Sequence, residues 1–181
     1  MKLYEIDSQY MEYLHKADSK VLMHNRENHS RKFVAIKVLI NGYKYFVPLS
    51  SPDQRDYYND ENGQKRVQFT RVPTIKRIFN GNPTVESYLG KLLFNNMIPV
   101  PKGYYHEFNV FLEKDLKYKG LLIDQIQTLR SRKNQEDILK RAQIVYKLKR
   151  RNSSYSYIKL ATVDFELLER NCDEWNKMFI K

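Results

Sequence analysis

The stretch FVAIKVLINGYKYFVPLSSP, residues 33–52, decides how this chain folds. Two runs rich in Val, Ile, Tyr and Phe flank Asn41-Gly42, the strongest short-range signal for a two-residue type I′ hairpin turn. Such a turn fixes the register: Ile40 faces Tyr43, Val38 faces Tyr45, Ile36 faces Val47 and Val34 faces Leu49. If no bulge intervenes, Lys32 then faces Ser51 and Phe33 faces Ser50. With Arg31 beside Lys32, the open end of the hairpin gathers two hydroxyls and two cations.

Working outward, LYEI (3–6) reads as a short strand, followed by a helix from about Ser8 to Lys16 with Asp7 or Ser8 as its N-cap. Residues 23–31 are polar and read as a loop entering the hairpin. DQRDYYNDENGQKR, after Pro52, is charged and rich in turn signals, and reads as a loop or surface excursion. VQFTRV (67–72) alternates like a strand. PTIKRIFNGNPTVES (73–87), broken by two prolines and Asn80-Gly81, reads as an irregular insertion. KLLFNNMIPV (91–100) reads as strand into turn, and YHEFNVF (105–111) as a strand or the entry to a helix. Beyond it, Leu122, Ile126 and Leu129 have helical spacing from about Asp115 to Arg132. A second helix starts at an Asn134 cap and ends in KLKRR (147–151), which suits the helix dipole. YSYIKLAT (155–162) reads as a returning strand, and Asp164 caps a last helix through Trp175. Strands dominate the first part and helices the second. The expected class is α+β, a mostly antiparallel sheet with surrounding helices, in a single domain over residues 1–181.

Thirty-two Lys and Arg against 21 Asp and Glu give a net charge of +11. That excess points to polyanions, nucleic acid first and an anionic membrane surface second. Fourteen tyrosines and nine phenylalanines, many beside basic residues (YKYF, RDYY, KGYY), suit stacking of single-stranded bases between cations. On this reading Lys32, Arg55, Tyr57, Lys65 and Arg66 are the RNA-binding candidates. Cys172 is the only cysteine, so neither an intramolecular disulfide nor a cysteine-based zinc site can form, and a small buried apolar role is expected for it. With no signal-peptide pattern and no run approaching the ~18 apolar residues of a membrane span, a soluble cytoplasmic protein is expected.

Glycine-rich phosphate loops, GxSxG and HExxH are absent from the sequence. The histidines (15, 24, 29 and 106) are scattered, and zinc at His24 and His29 would need distant help. The acidic residues do not cluster as two-metal nuclease chemistry requires, so neither metal nor cofactor is expected. One reaction suits what remains. RNA carries its own nucleophile, the 2′-hydroxyl beside each phosphate, and its cleavage needs only donors and cations around the phosphorane plus proton transfer. Ser50 and Ser51 could hold phosphate oxygens, Arg31 and Lys32 could stabilise charge, and His29 is a proton-transfer candidate. A noncatalytic RNA-binding protein is the competing reading, and a DNA-binding regulator a weaker third.

At these residues the chain resembles the ToxN/AbiQ endoribonucleases, the toxins of type III toxin–antitoxin systems. The features run in order: MKLYEIDSQYMEYL, the hairpin with its block Tyr-Phe-x-Pro-Leu-Ser-Ser-Pro, FNNMIPV, LLIDQIQTLRSRKNQEDILKRA and VDFELLERNCDEW. The resemblance implies a compact, strongly twisted sheet like the MazF toxin fold. It implies metal-independent cleavage of adenine-rich RNA to 2′,3′-cyclic phosphate and 5′-hydroxyl ends. It also implies inhibition by a small pseudoknotted antitoxin RNA in closed protein–RNA assemblies, and abortive infection against phage. The family's serine pair maps to Ser50 and Ser51, and its basic residue to Arg31, where other members have lysine. An Arg keeps the charge but shuttles protons poorly. The family tyrosine falls on Glu27, displacing its role to His24 or His29, and the lysine after Ser-Pro is Asp53 here, with Arg55 close by. Hairpin register favours Lys32 opposite Ser51 and the resemblance favours Arg31; a bulge at the strand end would reconcile them.

Overall fold

The computed structural model describes residues 2–23, 34–69, 71–151 and 156–179. The hairpin forms as its turn dictates. Strands β2 (Val34–Ile40) and β3 (Tyr43–Ser50) pair with Ile40 opposite Tyr43, Val38 opposite Tyr45 and Ile36 opposite Val47. Asn41 (φ 50°) and Gly42 (φ 82°) both occupy the left-handed region that a type I′ turn requires.

Around this hairpin the antiparallel sheet runs in the order β6-β7-β3-β2-β1-β9. β1 (Tyr4–Ile6) pairs with β2 on one side and β9 (Tyr105–Glu107) on the other. β7 (Tyr88–Leu93) lies along the serine end of β3, and β6 (Ile75–Phe79) lies outside it. A single 3-10 turn, Phe94–Asn96, then steps the chain to β8 (Ile98–Pro99), which pairs with β3 further along. A separate two-stranded ribbon, β4 (Tyr57–Asn59) with β5 (Lys65–Val67), follows the serines.

Helix α1 (Ser8–Ala17) is capped by the Asp7 carboxylate. α2 (Leu116–Leu129), α3 (Arg132–Arg150), α4 (Ser156–Ala161) and α5 (Phe165–Phe179) complete the chain. The two faces of β3 divide the core. Tyr45 points to the helices, with its ring against Tyr146 and Phe165, whereas Phe46 points the other way, against Tyr4 and Tyr105. One buried cluster runs from Leu3 to Trp175. Trp175 closes it against Tyr10, Tyr13 and Tyr104, and the buried Asp18 carboxylate accepts from the Asp164 amide (2.7 Å), tying the end of α1 to the start of α5. Cys172 is buried nearby, and desolvation pushes its thiol up to about 11, in keeping with the apolar role expected for it.

Several elements differ from the sequence expectations. The charged stretch after Pro52 is the β4–β5 ribbon: Asp60 accepts from the amides of Asn62 and Gln64, folding a turn that neither apolar pattern nor length announces. Among the described residues of the strand expected over 67–72, only Val67 belongs to a strand. The irregular insertion at 73–87 contains β6, because Asn80-Gly81 turns the chain so that Ile75–Phe79 lies along β7. Helix α3 is capped by Ser131, whose hydroxyl accepts from the Asn134 amide; Asn134 itself donates to the Thr128 carbonyl (2.7 Å) and joins α3 to α2. Residues 156–161 are helical, although their aromatic and β-branched content suggested a strand, an ambiguity inherent in short apolar runs.

Candidate active site

Ser50 ends β3 and Ser51 begins the turn beyond it; both are half-buried, and the Ser50 hydroxyl donates to the Ser51 carbonyl (3.1 Å). His24, Glu27, His29, Arg31 and Lys32, the other residues named for the chemistry, lie outside the described residues. The cations the structure does place beside Ser50 come from its other flank. Ser50 is the direct cross-strand partner of Lys91 on β7, and Lys91 is the direct partner of Arg77 on β6. Directly opposed residues of antiparallel strands project from the same face, so a hydroxyl and two cations form one row across three strands.

The chain after the serines folds back over this row. Pro52 is followed by Asp53, whose carboxylate accepts from the Arg55 amide (2.9 Å), while Asp56 accepts from the Asp53 amide (3.0 Å). This reciprocal cap closes the 3-10 turn Gln54–Asp56 and drives Asp56 inward, to 2% exposure. There Asp56 accepts from both Lys91 and Arg77 (3.0 Å), and Arg77 also donates to the Tyr88 hydroxyl (3.1 Å). Burial pushes the Asp56 carboxyl up, but hydrogen bonds from Lys91, the Asp53 amide and Arg77 together outweigh it and hold the group below the usual carboxylate range. The two serines and the proline thus end the strand where a capped turn can lay a buried carboxylate across two neighbouring strands.

Gly90 sets the spacing. It has φ +115°, and a Cβ placed on it would lie 2.1 Å from the Ser50 carbonyl oxygen and 3.1 Å from the Gln125 side-chain nitrogen. Only glycine lets β7 approach the serine end of β3 this closely. Gln125, buried on α2, donates to the Leu89 carbonyl (2.6 Å) and braces the same point from behind.

The RNA-binding candidates are placed unevenly. Lys65 and Arg66 line a groove of about 630 Å3 between the β4–β5 ribbon and β6, together with Lys76, Arg77, Arg141 and Phe69. Phe69 is 83% exposed, a free aromatic face at the groove wall. Glu86 is the sole carboxylate among the described residues of this lining. Lys65 sits over the Tyr57 ring, 4.1 Å from its centroid, and that ring packs edge-on against Tyr88, so Tyr57 braces the ribbon as well as offering a ring. Arg66 is held by Asp60 (2.9 Å). Arg55, with its side chain 88% exposed, is paired to Asp53, and its hydrogen bond holds the Asp53 carboxyl down at about 2. Arg77 belongs to both the groove and the serine row and joins them.

Sequence reasoning missed Lys91, Arg77 and Asp56. One local signal existed, the Asp53-x-x-Asp56 spacing directly after Ser-Pro, which is a cap pattern with an acidic residue left to be paired.

A model of the family described as "Toxin ToxN, type III toxin-antitoxin system" matches residues 2–173. The chain belongs to the ToxN toxin family. It is 32% identical to Endoribonuclease ToxN of Bacillus thuringiensis subsp. kurstaki, over 97% of this chain and 84% of that relative. It is 30% identical to Endoribonuclease AbiQ of Lactococcus lactis subsp. lactis, over 98% and 90% of the two chains. Among solved structures, one concerned with selective toxin inhibition by a non-coding RNA pseudoknot in type III systems superposes with a TM-score of 0.74. The two are 30% identical, and the alignment covers 97% of this chain and 98% of that one. The ToxN fold is therefore the frame for the serine end of the hairpin, with its antiparallel sheet and surrounding helices.

Proposed function

We propose that this protein is a metal-independent endoribonuclease toxin that cuts adenine-rich RNA by attack of the substrate's own 2′-hydroxyl. The observation that carries this reading is the ToxN family match over residues 2–173, coinciding with a serine pair at a strand end beside cations. In the reaction the 2′-oxygen gives up its proton and attacks phosphorus in line with the departing 5′-oxygen. The phosphorus–5′-oxygen bond breaks, the 5′-oxygen takes up a proton, and a 2′,3′-cyclic phosphate remains. Ser50 and Ser51 hold non-bridging oxygens, Arg31 and Lys32 stabilise the phosphorane's second charge, and His29 is the proton-transfer candidate. Lys65 and Arg66 steer flanking RNA along the groove, with Lys32, Arg55 and Tyr57 as further RNA contacts.

The natural inhibitor on this reading is a small pseudoknotted antitoxin RNA, bound directly in a closed assembly of alternating protein and RNA. The setting is the cytoplasm and the purpose abortive infection against phage. No described helix is long and apolar enough to cross a membrane.

The test is incubation with an adenine-rich RNA in excess EDTA, wild type beside Ser51→Ala. The expected result is cleavage by wild type alone, with cyclic-phosphate ends on the 5′ fragments. A gel shift without cleavage by wild type would instead support the noncatalytic RNA-binding reading.

A further inference from the structure

The row that begins at Ser50 carries more positive charge than its own carboxylate can balance. Lys91 and Arg77 are largely withdrawn from solvent, with side chains 14% and 11% exposed, and both bond the same carboxylate, Asp56. One buried carboxylate compensates one cation, and the second leaves a desolvated positive charge that an added anion would neutralise. An ammonium carries three donors, of which Asp56 occupies one, so Lys91 can hold Asp56 and a further oxygen together. Arg77, by contrast, spends the same nitrogen on Asp56 and Tyr88 and pins the carboxylate from the far side. Ser50 stands directly across from Lys91, and its Cβ, as in directly opposed pairs generally, lies about 4.5–5.5 Å from that of Lys91.

We propose that Lys91 contacts the phosphate held at Ser50 and Ser51, and that Asp56 is the residue positioning it. This rests on the serine pair being the active site. Lys91 then stabilises the dianionic phosphorane from the β7 side. Asp56, fixed by the cap at Asp53, holds the ammonium in place within the strand row.

The experiment compares Lys91→Met, Asp56→Asn, the double variant carrying both, and Ser51→Ala. Four quantities are measured: kcat and KM on a short RNA with one cleavage site, thermal midpoint, and salt dependence of Kd for the same RNA made uncleavable by a 2′-deoxy residue. Removing both members of the pair leaves one uncompensated cation, Arg77, where Asp56→Asn leaves two, so the double variant should recover part of the thermal midpoint lost by Asp56→Asn. Its kcat should nevertheless stay about 100- to 1000-fold below wild type, as for loss of one transition-state donor. The slope of log Kd against log salt should become shallower by about 0.7 in Lys91→Met and in the double variant, the value for one single-strand phosphate contact.

A stable double variant with wild-type kcat and an unchanged salt slope would show the pair to be a structural brace, and would overturn the proposal. If Ser51→Ala also cleaves normally, the serine site itself is wrong; if Ser51→Ala is inactive, only the role of Lys91 fails. Should the methionine variants not fold, wild-type protein labelled with 13C-lysine decides the matter. The Lys91 Cε resonance, assigned by its loss in Lys91→Arg, should shift on adding the uncleavable RNA, and an unmoved resonance overturns the proposal.

Discussion

The carbonyl oxygen of Ser50 lies 2.1 Å from where a side chain on Gly90 would begin, so the serine end of β3 and the backbone of β7 are in contact across a position that admits no Cβ. Gly90 also has φ +115°. Gly90→Ala should therefore strain the backbone and push β7 from Ser50, at a cost on the order of 1–3 kcal/mol or more. The expected outcome is a lowered urea midpoint together with loss of RNA cleavage. A variant as stable and active as wild type would mean that this close approach does not set the site.

Ser51→Ala should behave in the opposite way. The residue is half-buried at a strand end and contributes little to the core, so the change in stability should stay within about 0.5 kcal/mol. Cleavage and growth inhibition should fall by about 100-fold or more. A folded Ser51→Ala protein with full activity would remove the hydroxyl from the mechanism.

How far the chain could be read in advance depended on whether the deciding signal was local. Asn41-Gly42 fixed the β2–β3 register because a two-residue turn leaves no freedom, and Asp7 and Asp164 marked two helix starts by their own chemistry. The ribbon β4–β5 was not legible, since three-residue strands such as YYN and KRV are too short to show a period. β6 was hidden for another reason: IKRIF becomes a strand only when β7 lies beside it. The serines could be named because turn and family block both point to them. Lys91, Arg77 and Asp56 could not, because they meet from three elements between 14 and 35 residues apart, a convergence made by sheet order and by Gly90.

Acid should loosen the turn that covers the site. Asp56 is held below its ordinary range, and in the unfolded chain it titrates at about 3.9. The folded form therefore takes up its proton only at lower pH, so this contribution is complete above about pH 4 and lost as pH falls through the folded value. The thermal midpoint measured from pH 7 to pH 3 should drop towards the acid end, and should drop less steeply in Asp56→Asn. Equal acid slopes in the two proteins would contradict the assignment.

Affinity for single-stranded RNA should fall steeply with salt, given the net charge of +11 and the cations lining the groove beside β6. Replacing Lys65 and Arg66 by alanine together should make the slope of log Kd against log salt shallower by about 1.4, or 0.7 for each lost contact. The variant should keep its kcat while KM rises, because these side chains meet RNA away from the scissile bond. An unaltered slope would place the RNA elsewhere.

The most direct test is a single-atom change in the substrate. An RNA lacking only the 2′-hydroxyl immediately 5′ of the scissile phosphate keeps nearly every contact with the groove and the serine row. It should bind with close to full affinity in EDTA and not be cut, while the same change one nucleotide away should leave cleavage largely intact. Efficient cleavage at the substituted position, or an absolute need for magnesium, would show that water or a metal-bound hydroxide attacks, and would contradict the assignment of this site.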